Sequence, residues 1–247
     1  MKKELRHFGL LGKNISYSFS AGYFTEKFKQ LDLDNHSYVN FDLQNIEEIK
    51  NVLAQDKDIV GFNITIPYKE AIIPFLTEID PKAKEIGAVN TVKITKNGLK
   101  GYNTDVYGFY KSIEPFIKSH HKKALILGTG GASKAVKHAL IDLGLEIQFV
   151  SRTASENKLS YEMLTKQVME QHQVIVNCSP IGTFPNTEVK PAIPYEFLTE
   201  EHLVFDLIYN PPKTAFMKYA EANGATAVNG SKMLELQAEK AWEIWNG

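Results

Sequence analysis

Short apolar runs alternate with amphipathic stretches along this chain. Runs at 8–11, 37–41 and 59–66 read as strands, and stretches at 21–30 and 44–54 carry apolar residues at helical spacing. Residues 88–102 predict a hairpin turning at Lys96-Asn97-Gly98. Residues 106–118 predict a linking helix with Asp105 near its start. From Lys123 the order becomes strand, glycine turn, helix, strand, and the segments opening at Val174 and Leu203 each read as a buried parallel strand running into a polar loop. A final helix opens at Asn229-Gly230, with Leu234, Ala238, Ala241 and Trp245 as its apolar stripe. This pattern predicts an α/β protein of two domains with a cleft between them.

Two segments carry candidate chemistry. In Phe62-Asn63-Ile64-Thr65-Ile66 the apolar residues Phe62, Ile64 and Ile66 face one way, and Asn63 and Thr65 the other. Pro67 has no N–H to give a ladder and ends the strand. Lys69 follows just past the strand end, where α/β folds place their ligand crevices. The pattern suits either a grip on a small hydroxylated molecule or an edge strand with a solvated lysine. Gln237 has Met233, Leu234 and Ala241 as its helical neighbours. It needs a hydrogen-bond partner, either a ligand hydroxyl or a neighbouring backbone group.

The second segment is Lys123-Ala124-Leu125-Ile126-Leu127 followed by Gly128-Thr129-Gly130-Gly131-Ala132-Ser133 and an amphipathic stretch through Leu143. Strand, glycine turn and helix form the context of a dinucleotide fingerprint, in which the backbone approaches a pyrophosphate at a helix N-terminus. Ser133 replaces the third glycine and is small enough for close helix–strand packing. The next strand, 146–150, ends in Ser151-Arg152-Thr153 with no acidic residue to accept from a ribose 2′-OH. A cation beside two hydroxyls suits a 2′-phosphate, which favours NADP over NAD.

Together these motifs resemble the shikimate/quinate dehydrogenase family, in its short, single-function shikimate dehydrogenase type, over nearly the full length. Residues 12–20 resemble the family's carboxylate-binding loop, with Ser18 and Ser20 as its serines. Asn63, Thr65 and Lys69 match its Asn-Val-Thr-x-Pro-x-Lys motif, and Gly87-Ala88-Val89-Asn90-Thr91 and Gly101-Tyr102-Asn103-Thr104-Asp105 match two more. The resemblance implies reversible, NADP-dependent reduction of 3-dehydroshikimate to shikimate, a step of aromatic amino-acid biosynthesis. It implies Lys69 and Asp105 as the catalytic pair. It implies a substrate site of Ser18, Ser20, Asn63, Thr65, Lys69, Asn90, Asp105, Tyr209 and Gln237. On the cofactor side it implies Gly128, Thr129, Gly130, Gly131 and Ala132, then Ser151, Arg152 and Thr153, then Asn177, Ser179, Leu207, Gly230 and Met233. It also implies a substrate domain of residues 1–105 joined by the returning helix 230–247, and a Rossmann-type NADP domain of 106–229.

This chain departs from the family's usual pattern at Asn14, Tyr17 and Ala21, where Pro, His and Pro are common, and at Ser151, where Asn is common. Two other readings stay open. One is a quinate/shikimate or aminoshikimate dehydrogenase with relaxed cofactor use, against which Arg152 weighs. The other is a non-catalytic sensor of a metabolite and a dinucleotide, against which the presence of both Lys69 and Asp105 weighs.

Composition narrows the remaining classes. The 247 residues hold 28 basic and 29 acidic side chains, a net charge of −1, so no electrostatic footprint for nucleic acid or an anionic membrane exists. The single Cys178 excludes an intrachain disulfide and suits the cytoplasm. No apolar run approaches membrane-spanning length, and the seven histidines form no zinc pattern, so no metal is expected. The expected partners are small molecules, with the chain acting as a monomer or homodimer.

Overall fold

A computed structural model of the chain describes residues 4–15 and 18–247. The chain divides into two units, one of residues 1–104 and 238–247 and the other of 105–237. The first boundary falls at Thr104/Asp105. The second falls inside the final helix, at Gln237/Ala238, rather than before it at 229/230.

The first unit runs β1 (Arg6–Gly12), α1 (Phe19–Gln30), β2 (His36–Asp42), α2 (Ile49–Gln55), β3 (Ile59–Ile64), α3 (Tyr68–Ala71), β4 (Glu78–Ile79), α4 (Pro81–Ile86), β5 (Thr91–Thr95) and β6 (Gly98–Tyr102). Its six strands form one sheet in the order β2-β1-β3-β5-β6-β4. Strands β2, β1 and β3 are parallel, and β3 pairs antiparallel with β5. The predicted hairpin is β5–β6, with Thr95 opposite Gly98 across the two-residue turn Lys96-Asn97. Helix α1 starts where Ser18 accepts from the Ala21 N–H and ends with Lys27 and Lys29 near the negative end of its dipole. Its Phe24 and Phe28, four residues apart, enter an aromatic core with Phe8, Tyr38 and Trp245. A second core of Leu11, Phe62, Ile64, Ile72 and Val92 also belongs to this unit.

The second unit runs α5 (Asp105–Ile113), β7 (Lys123–Leu127), α6 (Gly131–Asp142), β8 (Glu146–Ser151), β9 (Lys158–Ser160), α7 (Lys166–Gln171), β10 (Val174–Asn177), β11 (Leu203–Asp206), α8 (Ala215–Ala222) and β12 (Thr226–Val228), then α9 (Ser231–Asn246), whose last turns belong to the first unit. Its sheet is parallel throughout, in the order β12-β11-β10-β7-β8-β9. From the opposite edge the strands read third, second, first, fourth, fifth, sixth. That is the doubly wound order, and its direction reverses between β7 and β10. Ala124 to Leu127 are fully buried, as a strand covered on both faces requires.

Candidate active site

In the first unit the chain order reverses between β1 and β3, so the crevice lies at their carboxyl ends. Both predicted motifs arrive there. Gly12 closes β1 against the end of β3, and a Cβ on it would lie 2.4 Å from Thr65 Cγ2. The loop after Gly12 leads to Ser18 and Ser20 on α1; Ser16 and Tyr17 within it lie outside the described residues. Strand β3 ends at Ile64, earlier than Pro67. Thr65 still donates its N–H to Leu11 O at 2.9 Å, and Tyr68 N–H turns back to Thr65 O at 2.9 Å. The period-two pattern therefore fails at Ile66. Alternation places it inward with Phe62 and Ile64, and it is instead 72% exposed because the chain has already left the ladder. Lys69 sits in α3, half-buried, and its carbonyl accepts from Val89 N–H at 2.7 Å.

Neutral hydrogen-bonding groups fill this end of the unit. Ser18 donates to Asn40 Oδ1 at 2.9 Å while capping α1. Asn63, nearly fully buried on β3, donates to Asn90 O at 3.3 Å and Thr91 Oγ1 at 3.0 Å, and accepts from Tyr38 Oη at 2.8 Å. Asn90 accepts from Thr104 N–H at 2.6 Å and donates to Thr104 Oγ1 at 3.0 Å. The apolar/polar alternation on β3 and the Asn90 and Thr104 motifs thus meet in one network. Asp105 opens α5 in the second unit and is buried there. The network consists of amides, hydroxyls and backbone groups, donors and acceptors of the kind that suit hydroxyls.

The glycine turn lies at the switch point of the second unit. Gly128 leaves β7 at φ +106°, a left-handed backbone that favours glycine, and a Cβ there would stand 3.2 Å from Ser179 N. The ends of β7 and β10 are therefore in contact. Helix α6 begins at Gly131 with Gly130 as N-cap, and no side chain caps it. Cβ atoms added at Gly130 or Gly131 would meet nothing within 4 Å. This is an open helix N-terminus with its dipole facing outward, which fits a pyrophosphate. Ser133 is buried and donates to Gly130 O at 2.6 Å, so the small residue packs where the third glycine usually stands. At the end of β8, Ser151 Oγ donates to Thr153 O, and Arg152 and Thr153 are exposed. This fits the demands of a 2′-phosphate: an accessible guanidinium with hydroxyls beside it.

Beyond β10 and β11 the polar residues bind one another. Asn177, fully buried, accepts from Ser179 N at 3.0 Å and Ser179 Oγ at 2.6 Å, and donates to Asp206 Oδ1 at 3.0 Å. Asp206 also accepts from Ile208 N–H at 3.1 Å and Thr214 Oγ1 at 2.7 Å. Burial raises its carboxyl to about 6, although those three hydrogen bonds oppose the rise. This carboxylate fixes the turn through Ser179, the stretch leading to half-exposed Tyr209 and the N-cap of α8 at once. Asn177 thus shapes its loop through bonds made inside the protein. Burial pushes the Cys178 thiol up, which favours its protonated form.

At the start of α9, Gly230 lies against Leu207; a Cβ would stand 2.2 Å from Leu207 O, so only glycine fits. Met233 and Gln237 are buried, and Gln237 Nε2 donates to Leu234 O at 2.9 Å, the backbone alternative of the sequence reading. Elsewhere, His7, Asp56 and Asp58 bring ligand-type atoms within 4.8 Å of one another near the amino ends of β1 and β3, away from the crevice; His7 Nδ1 already pairs with Asp56 at 2.8 Å.

Sequence reasoning missed Tyr38 and Asn40 on β2, Thr91 and Thr104 in the amide network, and Asp206. A signal existed for two of them: Tyr38 and Asn40 alternate on one strand and so share a face. Asp206 closes an otherwise apolar run, but nothing local says what it holds.

Comparison with known proteins gives these two crevices a common context. Residues 10–92 match the shikimate dehydrogenase substrate binding domain. The chain is similar to the NADP(+) shikimate dehydrogenase of Methanosphaera stadtmanae, 36% identical with 97% of this chain and 90% of that protein covered. It is similar to that of Methanococcus maripaludis at 39% identity, covering 97% and 91%. Among solved structures it is similar to the shikimate 5-dehydrogenase of Thermus thermophilus in complex with NADP(H) and shikimate, with a TM-score of 0.86, 30% identity and 98% and 94% covered. The chain belongs to the shikimate dehydrogenase family.

Proposed function

We propose that this protein catalyses the NADP-dependent, reversible interconversion of 3-dehydroshikimate and shikimate. One observation carries the reading: a family member carries Lys69 on α3, just past the end of β3, in a unit whose β3 end holds a network of neutral amides and hydroxyls suited to a polyhydroxylated acid. When bound, NADPH supplies the hydride that reduces the ketone carbon. Lys69 Nζ donates toward the carbonyl oxygen, stabilises the charge that develops there and gives up its proton; in the reverse direction it receives the hydroxyl proton. Asp105 accepts from a ring hydroxyl. Ser18 and Ser20 hold the ring carboxylate, Asn63, Thr65, Asn90 and Gln237 satisfy the hydroxyls, and Tyr209 is a further substrate-binding residue. Binding these groups in one orientation lowers the entropic part of the barrier.

On the cofactor side, Gly128 to Ala132 hold the pyrophosphate through backbone N–H groups. Ser151, Arg152 and Thr153 hold the 2′-phosphate. Asn177, Ser179, Leu207, Gly230 and Met233 form the wall for the remainder. In this reading residues 1–105 with 230–247 form the substrate domain and 106–229 the NADP domain. The assembly is a monomer or homodimer in the cytoplasm. Among the described residues no helix is long and apolar enough to cross a membrane.

The test is an absorbance assay of purified protein with shikimate or quinate and NADP or NAD in parallel. Fast turnover with shikimate and NADP is expected. Preference for quinate with NAD would overturn both assignments, and a chain that binds both ligands without turnover would be a sensor.

A further inference from the structure

We propose that Tyr38 is a positioning residue of the substrate site, whose hydroxyl fixes the Asn63 amide on the ring-hydroxyl side. The inference rests on reading the first unit as the shikimate-binding part. Tyr38 lies on β2, a strand at the sheet edge that none of the recognised motifs includes. Its ring is buried and stacked on Phe24, 4.8 Å between centroids at 13°. Its hydroxyl donates to Asn63 Oδ1 at 2.8 Å. A phenol has one hydrogen, and here it goes to the Asn63 amide oxygen. Burial keeps this phenol above its ordinary range, so it remains a donor wherever the protein is folded.

This bond and the two that the amide donates settle the polarity of Asn63. Both hydrogens of its amide point to Asn90 O and Thr91 Oγ1, and Tyr38 fills one lone pair of Oδ1. What remains for a ligand is one acceptor position. Asn63 can therefore recognise a ring hydroxyl only as a donor, and Tyr38 holds the amide in the orientation that makes this so. Without the phenol hydroxyl, Oδ1 loses its buried partner and the amide keeps only the two bonds it donates.

The test is Tyr38→Phe, which keeps the ring packing and removes only the hydroxyl, measured beside Asn63→Ala and the double variant. Tyr38→Phe should raise KM for shikimate about 3- to 10-fold, the scale of one neutral hydrogen bond. KM for NADP should stay unchanged, and kcat should fall by less than KM rises. Tyr38→Phe should then add less to KM for shikimate in the Asn63→Ala background than in wild type, because the amide it positions is already gone. An unchanged KM for shikimate, equal rises in both KM values, or full additivity of the two substitutions would each overturn the proposal. A thermal melt shows whether the variant is folded. A wild type that turns over beside an unaffected Tyr38→Phe removes the Tyr38 role alone, whereas a wild type inactive with shikimate removes the reading on which it rests.

Discussion

Replacing Asp206 by Asn should change how stability depends on pH, by an amount the structure fixes. The carboxyl is fully buried, and its pKa rises from 3.8 to about 6 because burial outweighs three hydrogen bonds. At about 1.4 kcal/mol for each pH unit, holding this group ionised at neutral pH costs the folded state about 3 kcal/mol. The folded state takes up the proton at a higher pH than the unfolded chain. Its contribution is therefore fully present below about pH 4 and is lost as pH rises through about 6. Asparagine does not titrate, yet its oxygen can still accept from Ile208 N–H and Asn177 Nδ2. Relative to wild type, Asp206→Asn should gain about 3 kcal/mol between about pH 4 and about pH 7. His121, His172 and His202, whose burial lowers their pKa, act with the opposite sign, losing stability as pH falls below the ordinary histidine range. They are common to both proteins and cancel in the difference. Urea unfolding across this pH range, read by amide exchange at β10 and β11, reports the second unit. A gap between the two proteins that stays constant with pH would refute the reasoning.

Lys69→Ala should lower kcat about 10²–10⁴-fold with a much smaller change in KM, in the assay with shikimate and NADP; an unchanged kcat would remove Lys69 from the chemistry. Arg152→Ala should raise KM for NADPH strongly and leave KM for NADH and shikimate nearly unchanged, so equal losses with the two cofactors would refute a 2′-phosphate contact. Ser18→Ala removes both the α1 cap and the hydroxyl assigned to the ring carboxylate. It should lower stability by about 0.5–2 kcal/mol in denaturant titration and raise KM for shikimate alone; a rise in KM for NADP instead would misplace the carboxylate loop.

The sequence reading reached the architecture because its signals were local. Gly128 to Ser133 stand between a buried apolar run and an amphipathic helix, and each part is legible without the others. Boundaries were less legible. Ile66 continued the alternation on paper, but Thr65 and Tyr68 form a turn there, and a turn whose bond is backbone to backbone leaves no side-chain pattern. Short pieces such as α3 and β4 fall below the length at which periodicity can be counted. The site was legible where residues sit in compact motifs: Asn63, Thr65 and Lys69 lie within seven positions. It was not legible where partners are distant. Tyr38 and Asn63 are 25 residues apart, and Asp206 and Asn177 are 29 apart, so only the folded sheet brings their atoms together.

The division of the chain has a consequence for biogenesis. Trp245 fills the aromatic core of the first unit, donates its indole N–H to Val92 O at 3.0 Å and lies where a Cβ on Gly61 would strike it. All of residues 105–237 are translated before it. The second unit is a contiguous segment, whereas the first lacks its tryptophan until the last turns of α9 are made. The nascent chain thus exposes its stickiest surface, around Phe8, Phe24 and Phe28, for the time it takes to synthesise the entire inserted unit. A chaperone that shields apolar aromatic surface should act on this protein during that interval, and fragments that stop short of Trp245 should aggregate through the first unit while their second unit stays intact.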